Sequence, residues 1–180
     1  MDKEDKLIAG CLSGKRKAHN ELYSRFAPLL YGICLRYSSD RSEAQDMLQE
    51  GFIKVFSSLS TYEGKGSFEG WIKRIIINHA LNHLRLKAKH RLFADYSEVE
   101  NIPDTVYAED ESVDPPDATA LLSLIQGLPE GYKMVFNLYV FEDYSHKEIA
   151  ETAGISESTS KTQLMRARNL LQKKLLELQR

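Results

Sequence analysis

Apolar residues recur along most of this chain at steps of three and four, the spacing that gathers side chains on one face of a helix. The clearest run is 41–59. There Ala44, Met47, Leu48, Gly51, Phe52, Val55, Phe56 and Leu59 form one stripe, and Asp46, Gln49, Glu50 and Ile53 form a second on the opposite side. Segments at about 15–38 and 67–90 carry the same period, and a short helix fits before Gly10. No stretch combines strand alternation with a hairpin signal, so the pattern predicts an all-α protein.

The pattern changes near the C-terminus, in SHKEIAETAGISESTSKTQLMRAR, residues 145–168. Ser145 followed three residues later by Glu148 is a capping box and predicts a helix start. Ile149, Ala150 and Ala153 mark its buried face. Gly154 permits a tight turn, Ile155 plugs back into the core, and Ser156 can cap a second helix. Two short helices meeting at a Gly-containing turn give either an ordinary helical hairpin or a helix-turn-helix, whose second helix enters a DNA groove. On that second helix Ser160, Leu164, Ala167 and Leu171 share the core face. Ser158, Lys161, Thr162, Met165 and Arg166 point away from it. A core-facing Ser160 is expected to bond back to a carbonyl one turn earlier.

The segment 71–91 holds six Lys/Arg and no acid. Trp71, Arg74, Asn78, Asn82, Arg85 and Lys89 fall on one stripe, while Ile72, Ile75, Ile76, Ile77, Ala80, Leu81 and Leu84 cover most of the rest. Cations for phosphate, amides for base edges and a ring for stacking suit a nucleic-acid face, although a solvated basic helix has the same pattern. Just upstream, TYEGKGSF (61–68) is a Gly-rich loop with aromatics at both ends. It can hold an unstacked base, or be a plain surface loop. The second stripe of 41–59 is likewise open between a solvated face and a protein-docking face.

The net charge of −2 conceals a division along the chain. Residues 1–91 carry +6, residues 92–117 carry nine acids and no base, and residues 118–180 carry +1. The middle stretch contains three prolines and reads as an acidic linker between two helical domains, 1–91 and 118–180. DNA repels such a segment, which leaves the flanking domains as the binding modules.

Cys11 and Cys34 lack any zinc-ligand spacing and sit among apolar residues, as buried thiols do. His79 and His83 are spaced i, i+4, but no acid occurs between Glu69 and Asp95, so helix packing or phosphate contact is expected of them rather than a metal. No nucleophile elbow, phosphate loop or paired-carboxylate constellation is present. No catalytic residue, metal, cofactor or small-molecule substrate is therefore expected. The first residues, MDKEDK, are no signal peptide, and no apolar run spans a bilayer, so a cytoplasmic protein without membrane insertion is expected.

Three stretches together carry a family resemblance. DMLQEGFIKVFSSL (46–59), YEGKGSFEGWIKRIIINHALNHLR (62–85) and LPEGYKMVFNLYVFEDYSHKEIAETAGISESTSKTQLMRARNLL (128–171) resemble, in order, regions 2.2, 2.3–2.4 and 4 of sigma factors. The short acidic linker is similar to that of the extracytoplasmic-function subgroup of the sigma-70 family. The resemblance implies a factor that docks on core RNA polymerase, with contacts to the β′ clamp helices and the β subunit, and confers promoter recognition. It assigns docking to Asp46, Gln49, Glu50 and Ile53. It assigns capture of the melted −10 strand to Tyr62, Lys65, Ser67, Phe68, Trp71, Arg74, Asn78, Asn82, Arg85 and Lys89. Readout of the −35 element falls to Ser156, Ser158, Thr159, Lys161, Thr162, Met165, Arg166 and Arg168. Promoter DNA and an anti-sigma factor are the further partners implied.

This chain departs from relatives in carrying Asn82 where many have Asp, Ser160 where Val is common, and Gln163 where Arg is common. Gln163 removes one potential phosphate contact or guanine reader. Two other classes are compatible with parts of the pattern: a stand-alone helix-turn-helix regulator and a polymerase-binding inhibitor that never touches DNA. The N-terminal domain argues against the first, and the 71–89 and 156–168 faces argue against the second.

Overall fold

The computed structural model describes residues 3–94 and 117–178, the side chains of 89–94 excepted. The Lys89 side chain and residues 95–116, most of the expected linker, lie outside the described residues. The elements are α1 (Lys3–Leu12), α2 (Arg16–Tyr37), α3 (Arg41–Ser58), a 3-10 turn (Leu59–Thr61), α4 (Phe68–Ala94), α5 (Ala118–Gln126), α6 (Glu130–Val140), α7 (His146–Ala153) and α8 (Glu157–Leu178). Among the described residues there is no strand, as the periodicity predicts. The chain divides into two compact units, Met1–Ala80 and Leu81–Arg180, and α4 runs through the division.

In the first unit each helix turns its apolar stripe inward. Leu22, Phe26, Leu30 and Ile33 of α2 are buried, as are Ala44, Met47, Phe52 and Val55 of α3 and Phe68, Ile72 and Ile76 of α4. Burying each of these larger side chains contributes about 1.5–3 kcal/mol. α3 starts where Asp40 Oδ1 accepts the Glu43 N–H at 2.9 Å, while Glu43 Oε2 accepts the Ser39 N–H. These two bonds satisfy donors that a helix start leaves unpaired. At Gly51 α4 approaches α3 closely: an added Cβ there would collide with Ile76 Cδ1.

In the second unit the expected local chemistry is present. Ser145 and Glu148 form the capping box of α7. Gly154 follows with φ +70°, a left-handed conformation that costs an L side chain strain. Ser156 Oγ then accepts the Thr159 N–H at 3.0 Å and opens α8. Ile149, Leu164, Ala167 and Leu171 are buried, together with Val135 and Leu138 of α6.

Three expectations need correcting. α1 runs through Gly10 to Leu12 instead of stopping before the glycine. α4 continues to Ala94, past the expected helix end near 90, because no glycine or proline interrupts the chain there. Ser160 is fully buried on the core face, but its Oγ pairs with His146 Nδ1 at 2.9 Å and not with a carbonyl one turn earlier.

Candidate nucleic-acid and protein interfaces

The second stripe of α3 is a surface. Asp46, Gln49, Glu50 and Ile53 are all exposed, Ile53 at 68%, although it is the kind of side chain a helix usually buries. His79 and Lys54 stand beside this stripe. Lys54 Nζ lies 2.8 Å from His79 Nδ1, and Glu50 Oε2 lies 3.1 Å from His79 Nε2. The packing role expected of His79 is therefore observed, and its polar partners come from α3. Sequence reasoning found the stripe but missed these two neighbours, since the contact joins residues 25 positions apart.

On α4, Arg74, Asn78, Asn82 and Arg85 are exposed along one side, and Ile72, Ile76, Ile77, Ala80, Leu81 and Leu84 are buried along the other. Arg85 Nη1 donates to Asn82 Oδ1 at 3.2 Å, which orients that amide. At the start of α4 three rings meet. Tyr62 lies 5.4 Å from Trp71 and 5.0 Å from Phe68, and Phe68 stacks on Trp71 at 5.8 Å. Tyr62 and Trp71 are half-buried, so each keeps an accessible surface. Phe68 does not. It is fully buried against Phe26 of α2, so its placement in a DNA-contacting set is corrected: it supports the other two rings from beneath.

The loop before α4 is held by its own polar groups. The Tyr62 hydroxyl donates to the Gly66 carbonyl at 3.0 Å, and Gly64 and Gly66 take positive φ values of 72° and 81°. Ser67 Oγ accepts the Gly70 N–H at 3.0 Å, so this hydroxyl caps α4. Lys65 Nζ pairs with Glu63 at 2.5 Å, but the Lys65 side chain remains 85% exposed. An exposed ion pair of this kind is worth little and exchanges readily for a phosphate.

On α8, Ser158, Lys161 and Thr162 are exposed, and Met165 and Arg166 are half-buried. Ser156 and Thr159 are exposed too, but their hydroxyls bond to each other at 2.8 Å within the cap of α8. Thr162 Oγ1 donates to the Ser158 carbonyl at 3.0 Å. Arg168 is exposed and lies over the Tyr139 ring at 5.7 Å, which ties it to α6 at the border of the face. Gln163 packs against the start of α6 beside Gly131.

Neither thiol offers chemistry. Burial pushes Cys34 up to about 12, and burial together with the Glu21 carboxylate raises Cys11. Among the described residues no group of three or more His, Cys, Asp or Glu could hold a metal, and no helix is long and apolar enough to cross a membrane.

Sigma-70 region 2 matches residues 22–90, and Sigma-70 region 4 matches residues 118–171. The ECF RNA polymerase sigma-E factor of Haemophilus influenzae is 30% identical over 94% of this chain and 93% of its own length. The chain belongs to the extracytoplasmic-function group of the sigma-70 family. The ECF sigma factor SigW of Bacillus subtilis is 28% identical over 96% of this chain and 97% of its own. The sigma factor RpoE of Bartonella quintana, solved with the anti-sigma factor NepR, shares the fold at a TM-score of 0.54 and 20% identity, covering 89% of this chain and 98% of that one. As a sigma factor, this protein directs promoter-specific transcription by RNA polymerase. The family is one of transcription initiation factors.

Proposed function

We propose that this sigma factor divides its work among the three faces described above. Asp46, Gln49, Glu50 and Ile53 dock on core polymerase at the β′ clamp helices. Tyr62 and Trp71 stack on bases of the melted −10 strand, while Lys65, Arg74, Asn78, Asn82, Arg85 and Lys89 take its phosphates and base edges. Ser67 and Phe68 contribute by capping and supporting that site. The α8 face reads the −35 element through Ser158, Lys161, Thr162, Met165 and Arg166, with the cap hydroxyls Ser156 and Thr159 and the border residue Arg168 placed for phosphates.

The observation that carries this reading is the two-sidedness of α3 and α4. Each buries most of one stripe and exposes most of the other, and the polar stripe of α4 pairs exposed cations and amides with half-buried rings. The exposed stripe of α3 sets Ile53 among acidic and amide side chains, and that of α4 sets rings beside a string of cations, compositions that suit a docking face and a nucleic-acid face. We assign 1–91 to polymerase docking and −10 recognition, 92–117 to an acidic linker, and 118–180 to −35 recognition; the β subunit is a further polymerase partner. The protein acts in the cytoplasm, with no catalytic step of its own, and is held in check by an anti-sigma factor. That last assignment is supported by a structural relative solved with such a partner.

The test is reconstitution. Added to sigma-free core polymerase, the purified chain should yield run-off transcripts from a cognate promoter. A helix-turn-helix regulator working alone would bind duplex but give none, and that result would end the proposal.

A further inference from the structure

The docking stripe contains a charge arrangement that its own helix would ordinarily cancel. Glu50 and Lys54 stand four residues apart on α3 with the glutamate nearer the N-terminus, the order that best favours a carboxylate–ammonium pair on a helix face. Among the described residues, however, the Glu50 carboxylate lies against His79 and not against Lys54. The ring of His79, only 7% exposed, stands between them. Lys54 Nζ is 2.8 Å from Nδ1 and Glu50 Oε2 is 3.1 Å from Nε2.

An ammonium has hydrogens and no lone pair, so Nδ1 accepts from Lys54 and the ring hydrogen sits on Nε2, facing Glu50. The Glu50 side chain remains 62% exposed. His79 is fixed in turn by the close approach of the helices at Gly51, whose added Cβ would lie 3.8 Å from His79 Cδ2.

We propose that His79 is a positioning residue for polymerase docking. By accepting from Lys54 it keeps that ammonium off Glu50, so the carboxylate stays open to a cation on the polymerase. This rests on the reading of the α3 stripe as the docking face. Without the imidazole, Lys54 swings onto Glu50, neutralises it and brings a positive charge into a stripe whose other charge, Asp46, is also negative.

The experiment compares affinities of full-length variants for core polymerase, alongside their melting temperatures. His79→Leu, close in volume but unable to accept, should weaken binding roughly two- to fivefold, what one exposed ion pair is worth. His79→Gln, with an acceptor for Lys54 and a donor for Glu50, should bind as the native chain does. Adding Lys54→Met to His79→Leu should restore binding, because the competing ammonium is gone. Should His79→Leu not fold, His79→Phe, a ring that cannot accept from Lys54, takes its place. Native-like binding by His79→Leu would overturn the proposal, and so would failure of Lys54→Met to restore it at equal melting temperature. Asp46→Arg, which does not touch His79, separates the two layers. Weakening there with no rescue by Lys54→Met removes only the role of His79, whereas native-like binding by Asp46→Arg removes the docking face itself.

Discussion

Phe68 decides how many rings this protein can offer to unpaired DNA, and it can be tested apart from Tyr62. The Phe68 ring is completely buried, edge-on to Phe26 at 5.8 Å, stacked on Trp71 at 5.8 Å and tilted against Tyr62 at 5.0 Å. Phe68→Ala should therefore cost about 3–5 kcal/mol of stability through lost transfer energy and the cavity left behind. That is a large part of the total for a small domain, so the variant is too damaged for a binding assay. Phe68→Leu roughly conserves volume and should cost less than about 1.5 kcal/mol. Tyr62 is half-buried, and Tyr62→Ala forfeits two ring contacts of about 0.5–1.5 kcal/mol each and a loop hydrogen bond of similar size. Phe68→Leu should thus melt no lower than Tyr62→Ala, and the two should behave differently on DNA. With holoenzyme on a −10 promoter, permanganate reactivity should be near normal for Phe68→Leu and depressed for Tyr62→Ala. A pre-melted bubble should rescue the latter. If Phe68→Leu loses strand capture while its melting temperature holds, Phe68 touches DNA and the reasoning from burial is wrong.

Asp46→Arg or Gln49→Ala should weaken core-polymerase binding with a normal melting curve, as both side chains are exposed. Lys161→Ala should cost on the order of 1–3 kcal/mol at one −35 position if it reads a base, or weaken all promoter variants evenly if it meets phosphate; a titration across single-base −35 variants separates the two. Gly154→Ala should destabilise the second unit by about 1–2 kcal/mol, because φ is +70° there, and thermal unfolding will show it. Bonds from the Ser145 hydroxyl and then its backbone N–H hold the Glu148 carboxyl below its ordinary value. A lowered folded-state pKa means the contribution is present above the unfolded carboxylate pKa and fades as pH falls through the folded one. The start of α7 should accordingly fray on acidification. Glu148→Gln, which can keep the capping geometry without titrating, should remove that pH dependence in amide-exchange measurements.

What could be seen in the sequence was what local chemistry decides. The capping box at Ser145, the turn at Gly154 and the cap at Ser156 depend on neighbours within four residues, and all three are in place. The two faces of α3 were legible because a period of 3.6 needs no partner to be read. Contacts that cross between helices were not. Whether Phe68 or Tyr62 faces out depends on Phe26, which α2 contributes from far back in the chain. The partners of His79 arrive from α3, and Ser160 is claimed by His146 from the preceding helix. In each case a side chain with a sound local option, a solvated ring or a bond to its own helix, took a tertiary partner instead.

Burial of Phe68 has an energetic consequence for promoter opening by the proposed −10 face. Extruding a base costs a few kcal/mol, and each stacking ring returns about 1–3 kcal/mol. Two half-buried rings, one of them already packed on the other, can at best balance the extrusion of one or two bases. Opening a longer stretch therefore needs free energy from elsewhere, and contacts of the α8 face and the α3 stripe can supply it. In the proposed division of work, faces joined in one chain raise each other's effective concentration at the promoter, so docking and −35 binding add to the −10 contacts without new contacts there. The free protein should thus bind a pre-melted −10 strand weakly and leave duplex closed, and only the holoenzyme should open it. Melting of linear duplex by the free chain would mean that the −10 face holds more binding energy than two rings and a row of cations can account for.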